Sequence, residues 1–206
     1  MVEFQTFIGG IFDTNGYVLH TPEGDLLIDA PTGSLEWAIE IGATPKFLLL
    51  THGHVDHIDG AAKIKRHFGC QVVCHPETVP LITDPDFFKK YGVFIETEVV
   101  HPDILIEETS NTEFLGLNFE VLFVPGHCPG SLCFYLKEQS LVFAGDTLFA
   151  NSIGRTDLPG GDFHLLLTGI KNKLFTLPDQ TKVLSGHGPA TSIGFEKATN
   201  PFLQEN

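Results

Sequence analysis

The sequence predicts an α/β protein: a four-layer αββα sandwich built as a single domain over residues 1–206. Three observations lead to this prediction. Apolar segments with strand-like patterning recur along the chain, and segments with helical periodicity follow them. These elements fall into two similar halves, each rich in strands and closed by helices. No linker, charge run or low-complexity stretch separates the halves, and a hydrophobic content of 42% is that of an ordinary globular chain.

The first half reads as a hairpin followed by a strand–helix–strand unit. The predicted elements are strands at 16–20 and 25–29 around a turn at 21–24, a helix N-capped by Ser34 and running to about Ile41 before Gly42, a buried strand at 47–50, an amphipathic helix at 61–68 ended by Gly69, and a strand at 71–74. Alternation of this kind is typical of a layered α/β domain.

Prolines interrupt residues 76–103, where a helical turn around Asp86–Tyr91 is the main prediction. Beyond this segment the pattern is mostly strands. The predicted elements are a hairpin at 113–115 and 117–124, strands at 131–136 and 141–144, an amphipathic helix from Asp162 to about Leu177 with Leu165, Leu166, Ile170 and Leu174 on one stripe, and a last strand at 182–185.

Charge and composition exclude several classes of partner. The formal net charge is −14, and the 12 Lys and Arg residues are too few and too scattered to displace counterions from a nucleic acid. The same charge argues against anionic membranes, and no apolar run approaches a membrane span. The N-terminal residues lack a signal-peptide pattern, and the four cysteines are expected to be reduced thiols. We therefore expect a cytoplasmic protein with a small-molecule substrate; the oligomeric state is not predicted.

Potential metal ligands follow the ends of four apolar strands. The first strand end carries a His-Gly-His-Val-Asp-His cluster, and a glycine directly precedes the ligand at each of the other three. The seven candidate ligands are His52, His54, Asp56, His57, His127, Asp146 and His187. Imidazole and carboxylate are ligands that zinc and iron prefer.

The number of candidates predicts two ions. Two divalent metals with three protein ligands each use six side chains, and a carboxylate can bridge them as the seventh. Positions left open for water or substrate distinguish such a catalytic site from a closed structural one. We expect zinc, with iron and manganese as alternatives because the same nitrogen and oxygen ligands accept all three.

The cluster at His52–His57, followed in order by His127, Asp146 and His187, resembles the metallo-β-lactamase superfamily over nearly the whole chain. The resemblance implies that the histidines at 52, 54 and 127 hold one metal and that Asp56, His57 and His187 hold the other. It also implies that Asp146 bridges the two metals.

Within that superfamily, residues 145–149 and 126–131 resemble glyoxalase II, the hydroxyacylglutathione hydrolases. Residues 154–157, 186–191 and 200–202 are similar to a short, single-domain branch of that group. The conventional enzymes add a helical C-terminal domain that helps to hold glutathione, and residues 1–206 contain no counterpart of it.

The resemblance implies hydrolysis of a thioester, such as S-D-lactoylglutathione or a similar 2-hydroxyacyl thioester, by a hydroxide that bridges the metals. Asp56 and Asp146 are the predicted catalytic carboxylates. Asp29 resembles the superfamily's acid that fixes a ligand imidazole, although a turn-capping role before Pro31 is an alternative. Arg155 is the predicted substrate-binding cation, with a loop salt bridge to Asp157 as the alternative.

Other activities remain open at this point. A persulfide dioxygenase of the same scaffold would use one iron held by His52, His127 and Asp146. Hydrolysis of another ester is a further alternative. A β-lactamase is disfavoured because those enzymes resemble this chain less at Asp146, and a nuclease is disfavoured by the acidic charge. A module that binds metal without turnover is the remaining alternative.

Overall fold

The computed structural model describes residues 2–92, 97–107 and 110–204. The strands are β1 (Glu3–Gly9), β2 (Thr14–Thr21), β3 (Gly24–Ile28), β4 (Pro45–Leu49), β5 (Gln71–Cys74), β6 (Ile104–Leu105), β7 (Ser110–Phe114), β8 (Leu117–Phe123), β9 (Leu132–Leu136), β10 (Leu141–Gly145), β11 (Leu148–Phe149), β12 (Ser152–Ile153), β13 (Lys182–Ser185) and β14 (Thr191–Ser192). The helices are α1 (Ser34–Glu40), α2 (Val55–Ile58), α3 (Ala61–Phe68), α4 (Val79–Thr83), α5 (Phe163–Asn172) and α6 (Ile193–Thr199), with 3₁₀ turns at Pro76–Thr78, Phe88–Tyr91, Lys137–Gln139 and Leu174–Thr176.

Most of these strands form two six-stranded sheets. The first sheet has the order β1-β2-β3-β4-β5-β6, antiparallel from β1 to β3 and parallel from β3 to β6. The second sheet has the order β14-β13-β10-β9-β8-β7, in which β10 and β13 are parallel and the other neighbours are antiparallel. Strands β11 and β12 form a separate short hairpin.

Three apolar cores confirm the predicted αββα order of layers. Ile28 and Phe143 lie in the core between the two sheets. Their chain neighbours point the other way, since successive side chains of a strand alternate between its faces. Leu27 packs in the core under α1 and α3, and Val142 packs with Leu166 of α5 in the core on the opposite side. Each sheet is therefore buried on both faces, which explains why the central strands read as continuous apolar runs.

The start of α1 differs from its prediction. Ser34 is the first helical residue, and Gly33 occupies the N-cap position with a left-handed φ of 91°. The Ser34 hydroxyl donates a hydrogen bond to the carbonyl of Pro31, so it does not cap a helix N–H group. The prediction that Ser34 is the N-cap is therefore wrong, although the helix itself is confirmed.

The predicted helix from Asp162 to about Leu177 is shorter in the structure. The carboxylate of Asp162 does cap the helix by accepting from the N–H of Leu165 (2.9 Å). Helix α5 ends at Asn172, and a separate 3₁₀ turn follows. Leu165 is 45% exposed and lies off the apolar stripe, whereas the other three predicted members of the stripe are buried.

Several elements were not predicted from the sequence. Strand β1 pairs with β2 along its full length, and α4 lies in the proline-interrupted segment. The strand at 182–185 is not the last one, because β14 and α6 follow it. The predicted helical turn around Asp86–Tyr91 is confirmed as a 3₁₀ turn.

The four strands that precede candidate ligands end at the same edge of the sandwich. Strands β8, β10 and β13 run in the same direction within the second sheet, and β4 lies in the first. Hydrogen bonds join the sheets at this edge, from the N–H of Leu132 to the carbonyl of Thr51 (2.8 Å) and from the N–H of Asn15 to the carbonyl of Gly186 (2.7 Å). Among the described residues, no helix has the length and apolar content needed to cross a membrane.

Candidate metal centre

The side chains predicted as ligands converge at this edge. Their potential ligand atoms form three overlapping groups, in each of which the atoms lie within 4.8 Å of one another: His52 with His54 and His127, His52 with His57 and Asp146, and Asp56 with His57 and His187. We call His52, His54 and His127 the all-histidine group and Asp56, His57 and His187 the mixed group. All seven candidates from the sequence are therefore brought together.

Short connections at the ends of strands place these side chains. His52 and His54 lie in the loop after β4, and α2 carries Asp56 and His57 as its second and third residues. The remaining three follow β8, β10 and β13. Because a strand end fixes where each short connection starts, the ligands lie close to rigid elements and not on long loops.

Buried polar atoms without partners show that the side chains fit a metal. The Nε2 atoms of His52, His57 and His127 and the Oδ1 atom of Asp146 are buried and form no hydrogen bond. Leaving such an atom without a partner costs about 1–3 kcal/mol, and four of them converge in this small volume. Their chemistry, imidazole nitrogen and carboxylate oxygen, suits zinc, iron or manganese.

Asp146 lies between the two groups. Its Oδ2 atom is 3.5 Å from Nε2 of His127, in the all-histidine group, and 3.4 Å from Nε2 of His187, in the mixed group. Its Oδ1 atom is 3.2 Å from Nε2 of His57. A carboxylate in this position faces both groups at once, which is the geometry that a bridging ligand needs.

Two glycines allow this close packing. A Cβ atom on Gly186 would lie 2.1 Å from Oδ1 of Asp146 and 2.6 Å from Cε1 of His57. A Cβ atom on Gly154 would lie 1.9 Å from the backbone oxygen of Asp146. Because contacts this short do not occur, a larger residue at 186 would displace the carboxylate of Asp146, and one at 154 would displace its backbone.

The carboxylate of Asp29 organises one histidine of each group. Nδ1 of His57 donates to Oδ2 of Asp29 (2.7 Å), and the hydroxyl of Thr51 donates to the same oxygen (2.7 Å). Nδ1 of His52 lies 3.0 Å from that hydroxyl and donates to it. Both rings therefore carry a proton on Nδ1, which leaves Nε2 as the atom that faces the site. These contacts favour the predicted imidazole-fixing position of Asp29 over a turn cap.

Backbone carbonyls fix two further ligand rings. Nδ1 of His127 donates to the carbonyl oxygen of Arg155 (2.7 Å), and Nδ1 of His187 donates to that of Phe12 (2.9 Å). The hydroxyl of Thr14 donates to Oδ2 of Asp56 (2.8 Å). The two backbone supports could not be predicted from the sequence, because a backbone oxygen carries no signature in the residue type.

The all-histidine group is neutral at pH 7. Burial lowers the pKa of His52 well below its ordinary value and lowers that of His54 to about 3. Burial also lowers the pKa of His127. Neutral imidazole is the form that binds a metal ion, so this group is ready to bind without losing a proton.

The mixed group holds protons. Burial opposes the charged form of His187, but the carboxylates of Asp146 and Asp56 outweigh it and raise its pKa to about 10. Burial likewise opposes the charged form of His57, whose pKa Asp146 and Asp29 nevertheless raise well above the ordinary value. Burial would raise the pKa of Asp56, yet the contact with His187 and the charge of His57 bring it to about 2.

An open cavity of about 580 Å³ lies over the ligand side chains. Most of its wall is apolar or aromatic; the residues other than the ligands are Phe12, Val55, Leu81, Phe87, Phe88, Tyr91, Phe149, Ser152, Ile153, Arg155, Leu158 and Pro159. A concave apolar space next to converging polar groups is the usual form of a substrate site.

Arg155, the predicted substrate-binding cation, lines this cavity. Its guanidinium also forms a two-pronged pair with the carboxylate of Asp157, at 2.7 and 2.8 Å. The predicted alternative, a loop salt bridge, is therefore present in the structure. The pair holds the pKa of Asp157 at about 2.

Comparisons with known proteins agree with this geometry. The sequence profile described as the metallo-beta-lactamase superfamily matches residues 9–187. The chain is 39% identical over 200 residues to the probable metallo-hydrolase YqgX of Bacillus subtilis, and the aligned region covers 94% of each protein. It is 37% identical over 199 residues to the hydroxyacylglutathione hydrolase GloC of Haemophilus influenzae, which covers 93% of each.

Two solved structures share the fold over almost the whole chain. The crystal structure of the BLEG-1 B3 metallo-beta-lactamase superposes with a TM-score of 0.92 at 35% identity, covering 98% of this chain and 100% of that one. The crystal structure of TTHA1623 in a di-iron-bound form superposes with a TM-score of 0.85 at 37% identity, covering 97% and 100%.

Proposed function

This chain belongs to the metallo-beta-lactamase superfamily, and we propose that it is a binuclear metallo-hydrolase that cleaves a 2-hydroxyacyl thioester such as S-D-lactoylglutathione. The observation that carries the proposal is the convergence of seven imidazole and carboxylate side chains with unpartnered buried atoms beneath an open cavity. The similarity to the Haemophilus influenzae hydroxyacylglutathione hydrolase supports the choice of a thioester.

In this proposal the all-histidine group holds one divalent ion, the mixed group holds the second, and Asp146 bridges them. Such ions supply Lewis acidity toward the thioester carbonyl and lower the pKa of water to about 7. Zinc is the proposed metal, and the di-iron form of the similar protein TTHA1623 supports iron as the first alternative.

The protein's own contribution is positional. Asp29 and the carbonyls of Arg155 and Phe12 hold ligand rings in the tautomer that exposes Nε2. Thr14 fixes one oxygen of Asp56, the second proposed catalytic carboxylate. The apolar cavity wall borders the space above the ligands, and electrostatic interactions are stronger beside apolar groups than in bulk water.

We keep a substrate-binding role for Arg155 within the proposal. Arg155 lines the cavity, and a substrate carboxylate would have to compete with Asp157 for its guanidinium. A bidentate partner already in place weakens that role without removing it. The four cysteines are free and buried, which supports the proposal that the protein works in the reducing cytoplasm.

A persulfide dioxygenase is the second candidate, since His52, His127 and Asp146 would serve a single iron. The mixed group favours the hydrolase, because it offers a complete set of ligands for a second ion. The fold similarity to BLEG-1 makes β-lactam hydrolysis a third activity to test.

One assay series separates these activities. The metal content of the purified protein is measured by elemental analysis, and turnover is then measured on S-D-lactoylglutathione, glutathione persulfide and a chromogenic cephalosporin. We expect two metal ions per chain and thiol release from the thioester. Oxygen consumption with the persulfide, or β-lactam turnover that exceeds thioester turnover, would overturn the proposal.

A further inference from the structure

Five aromatic side chains surround the cavity above the metal centre. Phe12 comes from the loop between β1 and β2, Phe87, Phe88 and Tyr91 come from one 3₁₀ turn and the residue before it, and Phe149 comes from β11. We call these five residues the aromatic wall. Their rings come from three separate parts of the chain, so the fold itself assembles an apolar surface at this place.

The aromatic wall touches the metal centre on both sides. The ring centroid of Phe88 lies 6.3 Å from that of His54, in the all-histidine group. The ring of Phe149 lies 6.2 Å from that of His187, in the mixed group. A molecule bound at the metals therefore has to lie against aromatic carbon.

Parts of the wall are open to solvent. The side chains of Phe12 and Tyr91 are 53% and 54% exposed. Large apolar side chains that remain exposed around a concave site mark a surface that a ligand covers. Covering them removes apolar area from water and so favours binding of an apolar group.

The charges on the cavity wall do not suit glutathione. Arg155 is the one permanently charged cation among the described residues that line the cavity, and Asp157 already pairs with it. The carboxylates of a glutathionyl group would have to be bound with little compensation by charge. An uncharged group meets no such cost.

The size of the cavity assigns the apolar group to one half of the substrate. A 2-hydroxyacyl group is small and its carbonyl must reach the metals, so it fills only the floor of a space of about 580 Å³. The remaining volume lies between the rings of the aromatic wall. It is available to the thiol half of the thioester.

On the proposed function of thioester hydrolysis, we propose that the thiol half of the substrate is an uncharged apolar group, aromatic or branched, that packs on the aromatic wall. Glutathione thioesters are then poorer substrates than thioesters of an apolar thiol. The specificity of the enzyme for the thiol comes from Phe12, Tyr91 and their neighbours and not from cationic residues.

The test uses three thioesters of D-lactate with the zinc-loaded protein. The thiols are glutathione (charged), N-acetylcysteamine (small and neutral) and 2-phenylethanethiol (apolar and aromatic), and each rate is divided by the uncatalysed rate to remove differences in leaving ability. We expect kcat/KM to be at least about tenfold higher for the phenylethyl ester than for the other two. Equal or higher kcat/KM for the glutathione ester would overturn the inference and leave thioester hydrolysis standing.

Matched variants locate the effect. Phe12→Ser and Tyr91→Ser each lower kcat/KM for the phenylethyl ester by about tenfold, because removing apolar contact from a pocket costs about that much, and lower kcat/KM for the N-acetylcysteamine ester by a smaller factor. Phe195→Ser is the control, since Phe195 is 48% exposed on α6 and does not line the cavity. A loss in all three variants, or in none, would contradict the assignment to the aromatic wall.

Binding without turnover gives an independent measurement. Calorimetry compares 2-phenylethyl methyl sulfide with S-methylglutathione on the zinc-loaded protein and on the same variants. We expect the aromatic thioether to bind at least about tenfold more tightly and to lose this advantage in Phe12→Ser. If no thioester is hydrolysed, the proposed function fails while this binding still supports the wall; absence of binding overturns the inference whatever the turnover.

Discussion

The two halves of the metal centre differ in the proton state of their side chains. In the all-histidine group, burial dominates and the pKa of His54 falls to about 3. In the mixed group, carboxylates surround the imidazoles and the pKa of His187 rises to about 10. The same residue type is therefore neutral on one side of Asp146 and protonated on the other.

This difference shows that equal ligand counts do not make equal metal sites. A metal that enters the all-histidine group displaces no proton, whereas a metal that enters the mixed group must displace those on His57 and His187. We expect the first position to fill before the second. The opposite order of filling, seen in a titration followed by spectroscopy of bound cobalt, would contradict the comparison.

Asp146→Asn is the change with the largest expected effect, because it alters the carboxylate that lies between the two groups. Replacing one carboxylate oxygen with an NH₂ group removes the bridging charge. We expect kcat to fall by about 10³-fold, which corresponds to roughly 4 kcal/mol of activation free energy. Turnover and metal content are measured together. Asp179→Asn, which changes a carboxylate paired with Lys197, is the matched control.

Asp29→Asn separates the two groups. The new amide would present N–H to Nδ1 of His57, so that ring would have to shift its proton to Nε2 and lose its metal-binding atom. We expect affinity for the second metal to fall by about 10- to 100-fold and affinity for the first to change less. Calorimetric metal titration measures both. Asp25→Asn, which alters the β3 carboxylate that pairs with His20, should leave both affinities as they are.

The pH dependence of metal binding tests the pKa shifts directly. The pKa of His187 is raised to about 10, so below that pH its ring is protonated. Each unit of falling pH therefore lowers the affinity for the second metal by about tenfold per displaced proton. His54, with its pKa near 3, is already neutral, so binding of the first metal is flat between about pH 6 and 8. Calorimetry in two buffers of different ionisation enthalpy counts the protons. Equal slopes for the two metals would contradict the prediction.

Glu196→Gln has the smallest expected effect. This buried carboxylate accepts from the N–H of Asn151 (3.0 Å) and the side chains of Asn200 and Thr191, and so ties α6 to the β11–β12 hairpin that carries Phe149. The NH₂ group of glutamine would face an N–H or O–H group that needs an acceptor, and the lost hydrogen bond lowers the free energy of unfolding by about 1–3 kcal/mol.

Because Phe149 lies against His187, this variant should lower kcat/KM about threefold, or roughly 0.6 kcal/mol, through the mixed group alone. Denaturant unfolding and steady-state kinetics measure the two effects. The exposed Glu138→Gln is the control. A loss of metal from the all-histidine group would show that α6 supports the whole centre instead.

The predictable parts of the fold were those that depend on local patterns. Apolar runs flanked by turn residues identified β2, β3 and β4, and the ligands could be found because they follow the ends of four such apolar strands within a few residues. Element ends were less predictable. Ser34 has the residue type of an N-cap, but its hydroxyl donates to the carbonyl of Pro31. The preference of one residue type cannot show which backbone group its side chain will bind.

The supports of the metal centre show where sequence reasoning stops. Asp29 could be predicted as a candidate because its side chain carries the function. Only the 2.7 Å contact with His57 distinguished fixing a ligand imidazole from capping a turn. The carbonyl of Phe12 supports His187 from 175 residues away, and no side chain announces it. The alternative predicted for Arg155, an ion pair with Asp157, could likewise be established only from the geometry.

The sequence by itself determined the αββα layers, the seven converging side chains and the superfamily, because these depend on residue type and on order along the chain. The tertiary structure alone decided the proton state of each ligand and the character of the cavity. Burial and neighbouring charge set a pKa, and the aromatic wall joins residues from three distant segments. Both are properties of what surrounds a side chain, and surroundings exist only once the chain has folded.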